Sequence, residues 1–193
     1  MKYFAVYLCF ILTLISFKEV SSQEELLNRK NLATVYFVRV ANYAQHAQFM
    51  IFENENLINI NEGINWFKYE CEPGDYLFWI TNRKYSDFVE ASLEAGESYM
   101  LMIDVRIGYG KASTRLRPKK PGDEGYDRGL ELIKNTLQSQ TSAEDLGYKV
   151  KNLNKRNIIE KQLEYYKTDW KFPTNYIKLD SMYYLPKDSL KHE

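Results

Sequence analysis

Apolar and polar positions fall into three regimes along this sequence. Lys2 precedes an apolar and hydroxyl-bearing run from Tyr3 to Phe17, which gives way to the polar stretch Lys18-Glu19-Val20-Ser21-Ser22. This is the layout of a secretory signal, and the run is shorter than the roughly 20 residues a membrane-crossing helix needs. Val20 and Ser22 supply the small side chains a signal peptidase accepts, so residues 1–22 are expected to be removed before Gln23. Cys9 sits inside the run behind Tyr7-Leu8, which is not where a lipoprotein signal places its cysteine.

Residues 23–32 read as a charged leader, and strand signals then begin abruptly. Ala33–Val40, Ala47–Phe52 and a short stretch from Leu57 to Ile60 carry β-branched and aromatic residues between polar breaks. Asn65–Glu72 and Tyr76–Thr81 flank Glu72-Pro73-Gly74-Asp75, where proline presets φ and glycine accepts a positive one, so the two are expected to pair as an antiparallel hairpin. Further strands are expected near Asp87–Leu93, Tyr99–Ile107 and Ala112–Leu116. Seven or eight short strands spaced by turns predict a mainly β protein, an antiparallel β-sandwich over residues 33–117.

Arg117-Pro118-Lys119-Lys120-Pro121-Gly122 is expected to end the sheet, with 118–121 as a linker. Beyond it the period turns helical. Leu130, Ile133 and Leu137 share a face, with Asp123, Glu124 and Asp127 at the helix start. Ser142 and Asp145 form a capping box for a second helix carrying Leu146, Val150 and Leu153. After a break marked by Asn152, Asn154 and Asn157, the stripe Ile159, Leu163, Tyr166 and Trp170 continues until Lys171-Phe172-Pro173. The helical extension thus covers 122–172, and 173–193 reads as a polar tail.

Composition narrows the function classes. Removing residues 1–22 takes Lys2, Lys18 and Glu19 out of the 26 basic and 26 acidic side chains, leaving 24 and 25. That balance argues against general nucleic-acid binding, which needs a dense excess of cations. One thiol, Cys71, remains, so no internal disulfide framework forms and stability rests on packing. Cys71 reads either as a small buried hydrophobe or as an exposed thiol open to an intermolecular disulfide. The 16 Tyr and 10 Phe suit pleated faces.

The chemistry is sparse. His46, in the loop Tyr43-Ala44-Gln45-His46, is the sole candidate base, since His192 is next to last; a lone loop histidine is ordinarily solvated. Zinc needs three or four clustered ligands, and no such spacing exists. Gly108-Tyr109-Gly110-Lys111 lacks the glycine gap and hydroxyl of a phosphate loop and reads as a turn. Asp123 with Glu124, and Glu144 with Asp145, read as helix caps. The basic cluster Arg115, Arg117, Lys119 and Lys120 reads as a solvated linker before an anionic polymer or lipid contact. No catalytic, metal or cofactor-binding residue is expected.

The segment 33–117 resembles the bacterial family catalogued as domain of unknown function 2846. The shared landmarks are the strand Ala33-Thr34-Val35-Tyr36-Phe37-Val38-Arg39, the turn Glu72-Pro73-Gly74-Asp75-Tyr76, and Leu93-Glu94-Ala95-Gly96-Glu97-Ser98-Tyr99. The resemblance implies a small exported envelope β-sandwich with no assigned reaction, and carries no functional residue across. Members often arrive as lipoproteins, which this chain lacks the cysteine for.

The expected function is a non-enzymatic exported module, periplasmic or extracellular, with an envelope or secreted protein as partner and no stable membrane span after cleavage. Its interaction surface is expected among Trp66, Tyr69, Tyr76, Trp79, Leu163, Tyr166 and Trp170, because half the aromatics of a two-stranded ribbon point away from its core. For the aromatics themselves, cover by the stripe Ile159, Leu163, Tyr166 and Trp170, which needs an apolar surface to rest on, is the favoured reading over exposure. The alternative functions are a carbohydrate- or small-ligand-binding sandwich using Trp66 and Trp79 and, third, a hydrolase through His46.

Overall fold

The computed structural model describes residues 31–82, 84–108, 111–154, 157–171 and 177–190. The expected signal peptide, most of the leader, Tyr109-Gly110 and His192 lie outside them. Eight strands form: β1 (Ala33–Arg39), β2 (Phe49–Glu53), β3 (Asn56–Asn61), β4 (Asn65–Cys71), β5 (Gly74–Thr81), β6 (Ser86–Leu93), β7 (Ser98–Gly108) and β8 (Lys111–Lys119). They make two four-stranded sheets, ordered β4-β1-β7-β8 and β3-β2-β5-β6. The chain is therefore the mainly β sandwich with a C-terminal helical portion that the sequence predicts. All strand pairs are antiparallel except the central β1–β7 pair.

Both faces of both sheets are apolar, which is why the strands alternate poorly in sequence. Val35, Phe37, Phe67, Leu101 and Ile103 of the first sheet meet Phe49, Ile51, Phe78, Ile80 and Val89 of the second in the central core. The outer face of the first sheet, with Val38, Met100 and Met102, is covered by Tyr126 and Ile133 of α1 (Tyr126–Asn135). The outer face of the second, with Met50, Phe52, Trp79 and Phe88, is covered by Leu153 of α2 (Ala143–Asn154) and Ile159 of α3 (Ile158–Tyr165). Helix, sheet, sheet and helices stack as four layers. Gly129 lets α1 lie close to the first sheet: a Cβ there would stand 2.9 Å from Met100 Sδ.

Several sequence expectations are corrected. The Pro-Gly segment makes no hairpin, because β4 and β5 belong to different sheets and the chain crosses the sandwich there, with Gly74 at φ 152°. The packing agrees: Tyr69 of β4 meets the edge of Phe78 of β5 from the facing sheet, while Tyr76 stacks on Phe78 along the same strand. Pro118 does not end the sheet, since β8 runs to Lys119 with Pro118 opposite Leu101. Leu116 N–H points off the outer edge of β8, so the missing N–H of Pro118, two residues on, would also point off the edge and costs no ladder bond. Leu137 is not on a helix face. α1 stops at Asn135, Thr136 turns extended (φ −132°, ψ 157°), and Leu137 is 95 % exposed.

The tail is not merely polar. Leu179 and Leu185 are buried, and Leu179 bridges to Ala91 while Tyr184 bridges to Tyr99. The expected Ser142 cap is present, its hydroxyl accepting from Asp145 N–H at 3.1 Å and donating to Asp145 Oδ2 at 2.7 Å.

Open sheet edges invite pairing with other chains, and each edge strand here is at least partly covered. The segment after α1 crosses two of them: Ser139 N–H donates to Trp66 O of β4 at 2.8 Å, and Ile60 N–H of β3 donates to Thr141 Oγ1 at 3.1 Å. On the opposite side Leu179 exchanges backbone bonds with Glu90 and Ser92 of β6 at 2.9 and 2.8 Å, and Leu116 N–H of β8 donates to Asp87 Oδ2 at 2.8 Å.

Candidate functional site

The seven residues singled out in the sequence do not share a surface. Trp79 points from the outer face of the second sheet, stacked on Phe52 at 4.0 Å, with its indole N–H donating to Asn54 O at 2.6 Å. Phe88 beside it packs on Tyr166 at 5.3 Å and Trp170 at 5.4 Å, and Leu163 packs against the same cluster. Trp79, Leu163, Tyr166 and Trp170 therefore come together as the interface between the helical extension and its own sandwich. Tyr69 and Tyr76 face the core instead, and burial pushes the Tyr69 phenol up to about 12, helped by the nearby Glu53 and Cys71. Trp66 stands apart, on the outer face of the first sheet beside α1.

Two carboxylates fasten the extension to the second sheet. Glu90 accepts a hydrogen bond from Tyr166 Oη and an ion pair from Lys171 Nζ at 3.1 Å. Burial works against the Glu90 charge, but the Tyr166 hydroxyl and the Lys171 ammonium outweigh it and hold the carboxyl below its ordinary range. Asp87 accepts from Leu116 N–H and from the Trp170 side chain; burial nevertheless dominates and raises its pKa. Trp170 ends a π-helical turn, Tyr166–Trp170, that directly continues α3. Neither acid carries a sequence motif.

Arg39 is likewise illegible as a motif. It continues the inward parity of Ala33, Val35 and Phe37, and is fully buried. Its guanidinium donates to Tyr43 O at 2.9 Å, Ala44 O at 2.8 Å and Asn61 Oδ1 at 3.1 Å, and lies 5.1 Å from the Phe49 ring centre. Burial lowers its pKa. This side chain fixes the loop that carries the exposed His46 and the 57 % exposed Tyr43. Cys71 is half-buried, and burial pushes its thiol up, which keeps it protonated and poorly nucleophilic. Among the described residues no group of three or more His, Cys, Asp or Glu is placed to hold a metal ion, and no helix is long and apolar enough to cross a membrane.

Trp66 lines an open cleft of about 630 Å³ with Tyr36, Lys68, Ile133, Lys134 and Leu137. Its ring lies 6.0 Å from Tyr36, and its indole N–H donates to Thr136 O and Oγ1 at 3.2 and 3.1 Å. The ring is thus anchored at one edge while the cleft stays open, with Leu137 and Lys134 also in its lining and Lys68 paired with Glu70 at 2.9 Å. A platform of this kind takes an apolar group flanked by acidic or polar ones. The bridging segment Thr136–Thr141, which places Leu137 here, has no periodic signal in sequence. Compared with protein-family models the chain matches none, and a search of curated proteins finds no match.

Proposed function

We propose that the mature chain is a non-enzymatic, exported binding module of the cell envelope or secreted fraction, of the kind its residues 33–117 resemble, and that it recognises a protein partner through the Trp66 cleft. The observation that carries this reading is an anchored tryptophan in an open cleft beside a leucine that is 95 % exposed. Tryptophan and tyrosine are the residues on which interface hot spots concentrate, and Trp66 with Tyr36 in an open cleft offers such an anchor, with the exposed Leu137 adding apolar area beside it. Lys134 favours an acidic residue next to that anchor, whereas Lys68 is paired with Glu70 at 2.9 Å. The helical stripe is spent on the protein's own sheet and is not offered to the partner.

The test is capture with a photo-crosslinking amino acid at position 137 in cells, compared with the same chain carrying Trp66→Ala. A single protein captured at 137, reduced at least about tenfold by Trp66→Ala, which corresponds to about 1.4 kcal/mol, supports the reading. Capture indifferent to Trp66 contradicts it. A sugar that quenches tryptophan fluorescence in the parent but not in Trp66→Ala would move the assignment to the carbohydrate reading, which uses the same platform.

A further inference from the structure

The residues between 115 and 119 are strand, and that turns a charged stretch of sequence into a fixed surface. The β7–β8 register puts Arg115 opposite Asp104, Arg117 opposite Met102 and Lys119 opposite Met100. Met100 and Met102 belong to the outer face of the first sheet, so Arg115, Arg117 and Lys119 share that face at intervals of roughly 7 Å. Arg106, two residues beyond Asp104, joins them, and Arg128 of α1 closes the group. Arg106, Lys119 and Arg128 line one pocket of about 390 Å³ together with Asn42, Tyr43, Asp104 and Glu124. None of the five cations makes an ion pair within 4.0 Å among the described residues.

We propose that this face binds an acidic polysaccharide, with one sugar seated in the Tyr43 pocket and the acid groups of its neighbours on the arginines. Five cations stand against Asp104 and Glu124 on this face and Asp87 of β6, whose carboxyl feels the charges of Arg117 and Arg115 without a direct ion pair among the described residues, so cationic charge is in excess. Four of the five are arginines, whose planar forks engage carboxylates and sulfates bidentately. Asp104 and Glu124 choose between kinds of polyanion. A polymer with a charge on every unit, such as polyphosphate, or a sheet of phospholipid headgroups, meets repulsion from both carboxylates. A polysaccharide spaces its acid groups and offers hydroxyl donors between them, which carboxylates and the Asn42 amide accept. Tyr43 adds an exposed ring for a sugar face. The Arg39 bonds to the carbonyls of Tyr43 and Ala44 hold that ring's backbone in place before any ligand arrives, making Arg39 a positioning residue.

The test uses the full mature chain and a hyaluronan octasaccharide, whose carboxylates stand on alternate sugars, with neutral dextran, polyphosphate and phosphatidylglycerol vesicles as comparison probes, by calorimetry or fluorescence at physiological ionic strength. The octasaccharide is expected to bind and dextran not to. Arg115→Glu with Arg117→Glu should weaken binding at least about tenfold, and Tyr43→Ala about fivefold, both with thermal midpoints near the parent's. Lys119→Glu with Arg128→Glu provides a second charge reversal if the first pair unfolds the strand. Trp66→Ala should leave octasaccharide affinity unchanged, which separates this surface from the cleft. Absence of octasaccharide binding, charge reversal without effect, or equal or tighter binding of polyphosphate or vesicles overturns the proposal.

Discussion

Three buried or half-buried charged side chains carry more of this fold than any catalytic motif. Arg39 donates to four backbone and side-chain oxygens from a fully buried position, so Arg39→Ala should strand those acceptors and cost about 2–4 kcal/mol, read as a lowered denaturation midpoint. Glu90 has a folded pKa below its unfolded value near 4.5, so its contribution is present above that value and lost as pH falls through the folded one. Glu90→Gln should therefore destabilise at neutral pH by about 1 kcal/mol, with the gap from the parent narrowing in acid in pH-dependent urea titrations. Asp87 has the opposite sign. Its pKa is raised above 3.8, so its ionisation weighs against the fold as pH climbs from that value through the folded one. None of this is readable from residue type: an arginine at an inward parity and an acid in a strand look like ordinary surface residues until their partners, Asn61, Leu116 or Tyr166, are known.

At the level of elements, every expected strand exists, because β-branched and aromatic runs punctuated by turn residues form strands whatever their neighbours. Pairing is different. Asn65–Cys71 and Gly74–Thr81 are each legible as strands, yet the Pro-Gly turn between them serves a crossing between sheets as well as it would a hairpin, and the packing of Tyr69 on Phe78 from the facing sheet goes with the crossing. Pro118 misleads in the same way, since its cost depends on which edge of β8 it faces. The helix stripe is legible as apolar and in need of a surface, and Trp79, one of the aromatics it is expected to cover, lies in that interface; that Trp66 and Tyr76 lie elsewhere is hidden by strands apolar on both faces. Tyr166→Ala should remove the ring from Phe88 and the hydroxyl from Glu90 together, destabilising by about 3–5 kcal/mol in equilibrium unfolding. Tyr166→Phe, which keeps the ring, should cost about 1 kcal/mol.

For the whole molecule, the four layers and the covered edges make the sandwich, the helices and residues 177–190 one cooperative body. The bridging segment Thr136–Thr141 crosses both sheets on one side, and Leu179 pairs with β6 on the other. Deleting the helical extension would expose Met50, Phe52, Trp79 and Phe88 at once, so a truncated sandwich should aggregate when expressed. The candidate surfaces are only partly visible in sequence: Trp66 and the basic run Arg115, Arg117, Lys119 and Lys120 stand out there, whereas Leu137 and Tyr43 gain their places from a helix end and a buried arginine.

Because the helical extension packs on its own sandwich, the proposed recognition surface is the Trp66 cleft and not the stripe. Hydrogen exchange on the isolated mature chain tests this most directly. Amides of α2, α3 and the Tyr166–Trp170 turn should exchange slowly with no partner present, at rates close to those of β5 and β6. Fast exchange across residues 143–170 beside a protected sandwich would contradict it, and would return the stripe of Ile159, Leu163, Tyr166 and Trp170 to the role of a free surface waiting for a partner.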